Sequence, residues 1–223
     1  MLDIFNLFLE YYPRLMNGLL ITIVLTVISI FLGTIFGVLL ALGKIYGNKI
    51  VSRLITIFIG LIRGTPLLCQ LFILYFGLPP YGIRLPALLV AAIGFTINSG
   101  CYQAEYLRGA IQSVSGCQMK AARSIGMTQW QGIIYVILPQ ALRRVIPSWA
   151  NEFIYLLKYT SLAYIIGAPE LMGEGKVIAS RNYEFFKMYL IIAIIYLIIV
   201  LILTKAFDYL EERVKIPGLE HSR

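Results

Sequence analysis

The chain has 223 residues, of which 59% are hydrophobic and 13% are charged, and its formal net charge is +8. A soluble domain carries about 25% charged residues, so the composition argues against a soluble enzyme and for a membrane protein. The positive charge is typical of the cytoplasmic loops of such a protein, which is a better explanation than nucleic-acid binding. Three scattered cysteines and a single histidine, His221, argue against a disulfide framework or a metal site.

Long uncharged segments predict transmembrane helices. Residues 15–43 contain no charge and are long enough to cross a hydrocarbon core about 30 Å thick. The sequence predicts five spans, at residues 15–43, 52–77, 86–112, 141–167 and 186–208. The predicted fold class is therefore an all-α polytopic membrane protein.

The same spans define one membrane domain, residues 15–208, between an external segment at 1–14 and a cytoplasmic tail at 209–223. The first 13 residues carry Asp3 and Glu10 but no basic residue, so we expect a retained span and not a signal peptide.

Basic residues predict the orientation of the spans. With the N-terminus outside, the cytoplasmic side receives eleven basic residues: Lys44, Lys49, Arg53, Lys120, Arg123, Arg143, Arg144, Lys205, Arg213, Lys215 and Arg223. The outer side then keeps five: Arg14, Arg84, Lys176, Arg181 and Lys187. The positive-inside rule therefore favours an external N-terminus and a cytoplasmic C-terminus.

The loop between the third and fourth spans, residues 115–139, has the signals of two short helices. Capping boxes at Ser115–Gln118 and Thr128–Gln131 mark the two helix starts. Gly126 suits the left-handed conformation that ends a helix, and Pro139 predicts a boundary before the fourth span.

This loop resembles the "EAA" coupling loop in permease subunits of ABC importers, most closely those of the polar amino acid branch. The resemblance rests on residues 118–127 and 137–141 of the loop, on residues 63–68 of the second span and on residues 157–162 of the fourth. These motifs occur in the family's order within a resemblance that covers roughly residues 15–210.

The resemblance implies residues that couple the permease to an ATPase: Gln118, Lys120, Ala121, Ala122, Arg123, Gly126 and Pro139. Lys120 stands where the family usually has a glutamate, so the charge at this position is reversed. The resemblance still implies that the loop docks on the ATPase. It does not imply the ion pair that the family's glutamate would form.

The resemblance also implies the partners of the chain in a bacterial cytoplasmic membrane. These are a second permease subunit, identical or related, a cytoplasmic ATPase dimer that receives the loop, and an external protein that delivers an amino acid. The chain has no phosphate-binding loop motif, so we expect no enzymatic activity and no cofactor in it, with ATP and magnesium bound by the ATPase. The alternatives are a carrier driven by an ion gradient and an inert scaffold subunit.

Polar residues of the third span predict a substrate site, because ionisable groups within a bilayer need a partner or a function. Asn98, Tyr102 and Glu105 share one helical face, and Ser99 and Gln103 lie nearby. One hypothesis is that Glu105 pairs with the side chain of a basic amino acid such as arginine, lysine or histidine. The alternatives are an ion pair with Arg108 and, for the substrate, glutamine or another polar amino acid.

The fourth span offers a second group of polar residues. Thr160 and Ser161 are candidates for binding the substrate α-carboxylate, and hydrogen bonding between helices is the alternative. For Glu152 and Lys158 we expect structural pairing, with the second permease subunit as a possible partner.

In the second span, the residues Arg63, Thr65 and Pro66 predict a kink with a structural and gating role, in which a hydroxyl satisfies the freed carbonyl.

Overall fold

The computed structural model describes residues 2–114 and 116–214, and the secondary structure of this part is helical. In chain order the helices are α1 (Leu2–Tyr46), α2 (Lys49–Gly64), α3 (Leu67–Gly77), α4 (Ala87–Ser113), α5 (Gly116–Ser124), α6 (Gln129–Gly132), α7 (Leu138–Tyr159), α8 (Leu171–Asn182) and α9 (Phe185–Val214). Shorter segments are a 3-10 turn (Pro79–Tyr81), a π-helical turn (Ile133–Ile137) and a 3-10 helix (Thr160–Ile166). The predicted capping box at Ser115 and the tail from residue 215 lie outside the described residues.

Three of the described helices, α1, α4 and α9, are long and apolar enough to cross a membrane. The pair α2 and α3 passes the same test together but is bent by 100°, so it supplies a fourth span if the pair crosses as one unit. The predicted span at 141–167 corresponds to α7 and the 3-10 helix that follows it. Helix α7 carries too many charged residues to pass the same test of apolar composition. The all-α membrane class is confirmed, and the count of five spans stays a prediction.

Helix α1 begins at Leu2, well before the start of the predicted first span at residue 15. Pro13 lies inside the helix. The early turns are held by apolar packing, because Leu7 and Leu15 belong to a buried cluster with Leu171 of α8 and Met188 of α9.

Glycines bring α1 and α4 into close backbone contact. A Cβ atom at Gly37 would lie 2.8 Å from the carbonyl oxygen of Gly100, and one at Gly100 would lie 3.1 Å from the carbonyl oxygen of Gly33. Small residues four positions apart, such as Gly33 and Gly37, allow this kind of approach between membrane helices. The contact makes α1 and α4 the centre of the fold.

Helix α8 is an element that the sequence did not predict. Glu170, the residue that caps its N-terminus, is fully buried and accepts hydrogen bonds from the backbone amides of Met172 (2.9 Å) and Gly173 (2.8 Å). The hydroxyls of Thr22 and Tyr196, each 3.3 Å away, donate to the same carboxylate. Glu170 therefore ties α8 to both α1 and α9.

The expectation that Pro139 separates the second short helix of the loop from the fourth span was wrong. Helix α6 continues through the π-helical turn into α7, and Pro139 occupies the first turn of α7. In the π-helical turn the amide of Leu138 donates to the carbonyl of Ile133, five residues earlier. This wider turn precedes the proline, and the first turn of a helix tolerates a residue without an amide hydrogen.

Candidate functional site

The break between α2 and α3 falls at Thr65 and Pro66, where the sequence predicts a kink. Pro66 has no N–H group, so the carbonyl of Ile62 loses its usual helical donor. The side-chain amide of Gln70 replaces it, with Nε2 donating to Ile62 O at 2.6 Å. The predicted hydroxyl contributes less, because Thr65 Oγ1 lies 3.4 Å from Ile62 O and donates more closely to Leu61 O at 2.9 Å. The kink is confirmed, and its gating role stays a prediction.

A chain of contacts runs from the break to a buried carboxylate in α7. The exposed guanidinium of Arg63 lies 4.8 Å from the ring centroid of Tyr102, a distance typical of a cation–π contact. The rings of Tyr102 and Tyr106 are 6.5 Å apart, and Tyr106 OH donates to Glu152 Oε2 at 3.4 Å. Glu152 is only 7% exposed. A cation and an anion are thus connected by two aromatic rings of α4.

The expected pairing of Glu152 and Lys158 is not found within the described part of the chain, where neither residue forms an ion pair. The ammonium of Lys158 instead lies 4.6 Å from the ring centroid of Tyr155, and Tyr155 stacks on Tyr159. These three side chains are exposed on α7, on the same helix as the exposed Asn151. Pairing with a second subunit remains a prediction.

Three of the predicted substrate residues are buried in α4 and bonded within the chain. Asn98, which is 6% exposed, donates from Nδ2 to Gln70 Oε1 at 3.0 Å. Gln103 donates from Nε2 to Ser99 Oγ at 3.0 Å. These bonds connect α4 to α3 and fix the side chain of Gln103.

The side chain of Gln103 also forms part of a polar junction with α1 and α7. The hydroxyl of Thr34 lies 2.7 Å from Gln103 Oε1, and Trp149 Nε1 donates to Thr34 Oγ1 at 2.9 Å. The sequence did not indicate Thr34 or Trp149, because their contacts cross 69 and 115 residues of chain.

The carboxylate of Glu105 is paired with two cations of its own chain. Lys44 Nζ lies 2.6 Å from Oε1, and Arg108 lies 3.0 Å from Oε2. The pair with Arg108 is the alternative that the sequence offers, whereas the pair with Lys44 is new. Glu105 therefore joins the end of α1 to α4 in this structure, and its substrate role stays a prediction.

Thr160 and Ser161 begin the 3-10 helix that follows α7. The hydroxyl of the buried Thr160 donates to Leu157 O at 2.7 Å, and Ser161 Oγ donates to Lys158 O at 2.6 Å. Both hydroxyls are thus engaged with their own helix, and carboxylate binding by them stays a prediction.

The loop helices α5 and α6 pack against each other. Thr128 and Gln131 form the predicted capping box, and Gly126 has the predicted left-handed conformation, with φ of 83°. Ala122 is buried in the described structure, next to Gly132. The remaining predicted coupling residues Gln118, Lys120, Ala121 and Arg123 are exposed. The exposed face of α5 thus carries two cationic side chains, Lys120 and Arg123, beside the small Ala121.

No group of histidine, cysteine, aspartate or glutamate residues in the described part of the chain could hold a metal ion.

The long apolar helices, the broken span and the capped helical loop define a membrane permease. The chain belongs to the family of binding-protein-dependent transport system inner membrane components, whose model matches residues 33–216. This family forms the membrane part of ABC importers, and its members are not enzymes themselves.

Named relatives refine the family to amino acid permeases of ABC transporters. The chain is 39% identical over 195 residues to the probable amino-acid ABC transporter permease protein YckA of Bacillus subtilis (strain 168). The alignment covers 86% of this chain and 86% of that protein. The chain is 36% identical over 206 residues to the glutamine transport system permease protein GlnP of Escherichia coli (strain K12), covering 92% of this chain and 94% of that one.

Solved structures agree with this assignment. A crystal structure of an amino acid ABC transporter with histidines has a TM-score of 0.86 at 38% identity, covering 92% of this chain and 96% of the other. The MetNI methionine ABC transporter, at 22% identity and a TM-score of 0.78, shares the fold. The protein is therefore the permease subunit of an ABC amino acid importer, which decides against a carrier driven by an ion gradient.

Proposed function

We propose that this permease transports a cationic amino acid such as arginine, lysine or histidine, and that Glu152 is the residue that selects the positive charge. The observation that carries the proposal is the environment of Glu152. The carboxylate is buried, accepts a hydrogen bond from Tyr106, and forms no ion pair within the described part of the chain. A carboxylate at membrane depth is costly without a partner, and a cationic substrate would supply one during transport.

Arg63 complements this carboxylate at the other end of the tyrosine pair. A guanidinium binds a carboxylate through two parallel hydrogen bonds, so Arg63 is suited to the α-carboxylate that every amino acid carries. The ring of Tyr102 lies against Arg63 and can also contact a substrate cation. We therefore assign Arg63, Tyr102 and Glu152 to the translocation pathway.

The remaining predicted substrate residues of α4 hold the helix that carries Tyr102 in place. Asn98, Ser99 and Gln103 hold α4 against its neighbours, and Glu105 closes the end of α4 that leads to the loop. Thr160 and Ser161 stay candidates for carboxylate binding once the 3-10 helix rearranges.

The exposed polar side chains of α7 support the proposal that a second permease subunit covers this helix. Asn151, Lys158 and Tyr159 are exposed, and such groups are unfavourable against lipid. A second copy of the chain, or a related chain, would enclose the pathway between the two subunits.

Energy and orientation follow the family pattern in this proposal. The loop at 115–139 docks into a cytoplasmic ATPase dimer, which binds ATP and magnesium, and an external binding protein delivers the substrate. The N-terminus lies outside and the C-terminus in the cytoplasm of a bacterium, as the basic residues favour. Closure of the ATPase pair on ATP then moves the helices between inward-facing and outward-facing states.

A permease for glutamine is the second candidate. Relatives named glutamine transport permeases are 36% and 34% identical to this chain. The two candidates are distinguished by amino-acid-stimulated ATP hydrolysis in the reconstituted permease–ATPase complex with its binding protein. We expect stimulation by arginine, lysine or histidine, and stimulation by glutamine alone would favour the second candidate.

A further inference from the structure

The side chain of Gln70 sits between the two halves of the broken span and α4. Its Nε2 atom lies within hydrogen-bond distance of three acceptors at the end of α2: Ile62 O (2.6 Å), Thr65 Oγ1 (3.0 Å) and Thr65 O (3.1 Å). Its Oε1 atom accepts a hydrogen bond from Asn98 Nδ2 at 3.0 Å. One amide thus contacts the last turn of α2 and the middle of α4 from a position in the first turn of α3.

We propose that Gln70 is a positioning residue for transport, which holds Arg63 in the pathway by fixing the end of α2 against α4. The inference rests on the proposed role of Arg63. Ile62 and Arg63 are adjacent in the chain, so the bond from Gln70 to Ile62 O fixes the backbone from which the Arg63 side chain extends. The guanidinium then meets Tyr102, which lies one helical turn after Asn98 on α4.

Pro66 explains why a side chain is needed at this point. In an uninterrupted helix, the amide of residue 66 would donate to the carbonyl of residue 62. Proline removes that donor, and the 100° bend carries the next amides away. Gln70 restores a donor without straightening the span, so the break is kept open and held in one orientation.

The role of Gln70 should therefore depend on Pro66, which a double-mutant cycle measures directly. The cycle uses the complete permease–ATPase complex with its binding protein in liposomes. It compares the wild type, Gln70→Leu, Pro66→Ala and the double variant, with Cys69→Ser as the matched control on the exposed neighbouring position. The readouts are KM and kcat for arginine uptake and the melting temperature of the purified complex.

We expect Gln70→Leu to raise KM about tenfold, because the part-buried carbonyl of Ile62 loses its donor. We also expect a lower melting temperature, because Asn98 loses its partner as well. In the Pro66→Ala background the restored amide serves Ile62 O, so adding Gln70→Leu should change KM by less than about twofold. Cys69→Ser should match the wild type. Equal effects of Gln70→Leu in both backgrounds would overturn the proposal.

Arg63→Gln separates this inference from the proposed function. If Arg63→Gln raises KM and Gln70→Leu does not, Arg63 is a pathway residue and the positioning role of Gln70 is wrong. If Arg63→Gln also leaves KM unchanged, the assignment of Arg63 to the pathway fails. In that case, Gln70→Leu could still lower the melting temperature in the wild-type background and not in the Pro66→Ala background. The bond from Gln70 to Ile62 O would then be purely structural.

Discussion

Lys44 Nζ lies 2.6 Å from Glu105 Oε1, which connects the end of α1 to α4 across 61 residues of chain. Arg108 holds the other carboxylate oxygen at 3.0 Å. The two cations and one anion leave the group with a net positive charge. The carboxylate of Glu105 thus holds α1 and α4 together at the end of α1 in this structure.

Replacing Glu105 with glutamine should destabilise the permease more than its small change in size suggests. The change removes the charge that two half-buried cations share, and we expect a loss of about 1–3 kcal/mol in the free energy of unfolding. Thermal unfolding of the purified complex measures it. Glu184→Gln is the matched control, because the more accessible pair between Glu184 and Lys187 involves a single cation three residues away and should contribute little. Equal melting temperatures for the two variants would contradict a structural role of Glu105.

Gly37→Ala tests the close contact between α1 and α4. The added Cβ would lie 2.8 Å from the backbone oxygen of Gly100, which cannot move aside as a flexible side chain can. We expect a loss of about 1–3 kcal/mol and a lower yield of folded protein. Gly109→Ala is the control on α4, because a Cβ there meets no atom within 4 Å. Normal stability of Gly37→Ala would mean that the two helices are farther apart than described.

Glu170→Ala should loosen α8 from α1 and α9. The carboxylate caps α8 and accepts bonds from Thr22 and Tyr196, so its removal should lower stability by about 1–3 kcal/mol. Hydrogen exchange of the α8 amides measures the local effect. Ser180→Ala, on the exposed side of α8, should leave the exchange unchanged. Unaltered protection in Glu170→Ala would show that the cap contributes nothing.

Ala121→Arg should separate the permease from its ATPase without unfolding it. Ala121 is exposed on α5, where a small side chain allows a partner to approach closely. We expect co-purification of the ATPase to fall while the melting temperature of the permease itself is retained. The same change at Ser180, on a helix distant from the loop, should leave co-purification intact. Retained ATPase in Ala121→Arg would contradict docking through this surface.

The sequence predicts those parts of the fold that depend on local composition. The predicted span at 86–112 matches α4 closely, and Pro66 marks the break in the second span because proline acts on its own helix. The capping box at Thr128 is a local signal of the same kind.

Contacts between distant residues explain what the sequence does not predict. Nothing near Glu105 indicates Lys44, and nothing near Pro66 selects the amide of Gln70 over that of another residue. Helix α8 was missed because its glycines weaken the helical signal, while the hydrogen bonds of Glu170 to Thr22 and Tyr196 hold it to distant helices. The spacing of Gly33 and Gly37 is one signal in the sequence that indicates the contact of α1 with a neighbouring helix.

The most direct test of the account compares Glu152→Gln with Glu105→Gln in liposomes that contain the permease, its ATPase and the binding protein. The measurement is ATP-dependent uptake of arginine, lysine, histidine and glutamine. If Glu152 selects the positive charge, Glu152→Gln should raise KM for the cationic amino acids by about tenfold or more, and Glu105→Gln should leave KM unchanged in the folded fraction. Unchanged cationic uptake in Glu152→Gln, or its selective loss in Glu105→Gln, would contradict the account.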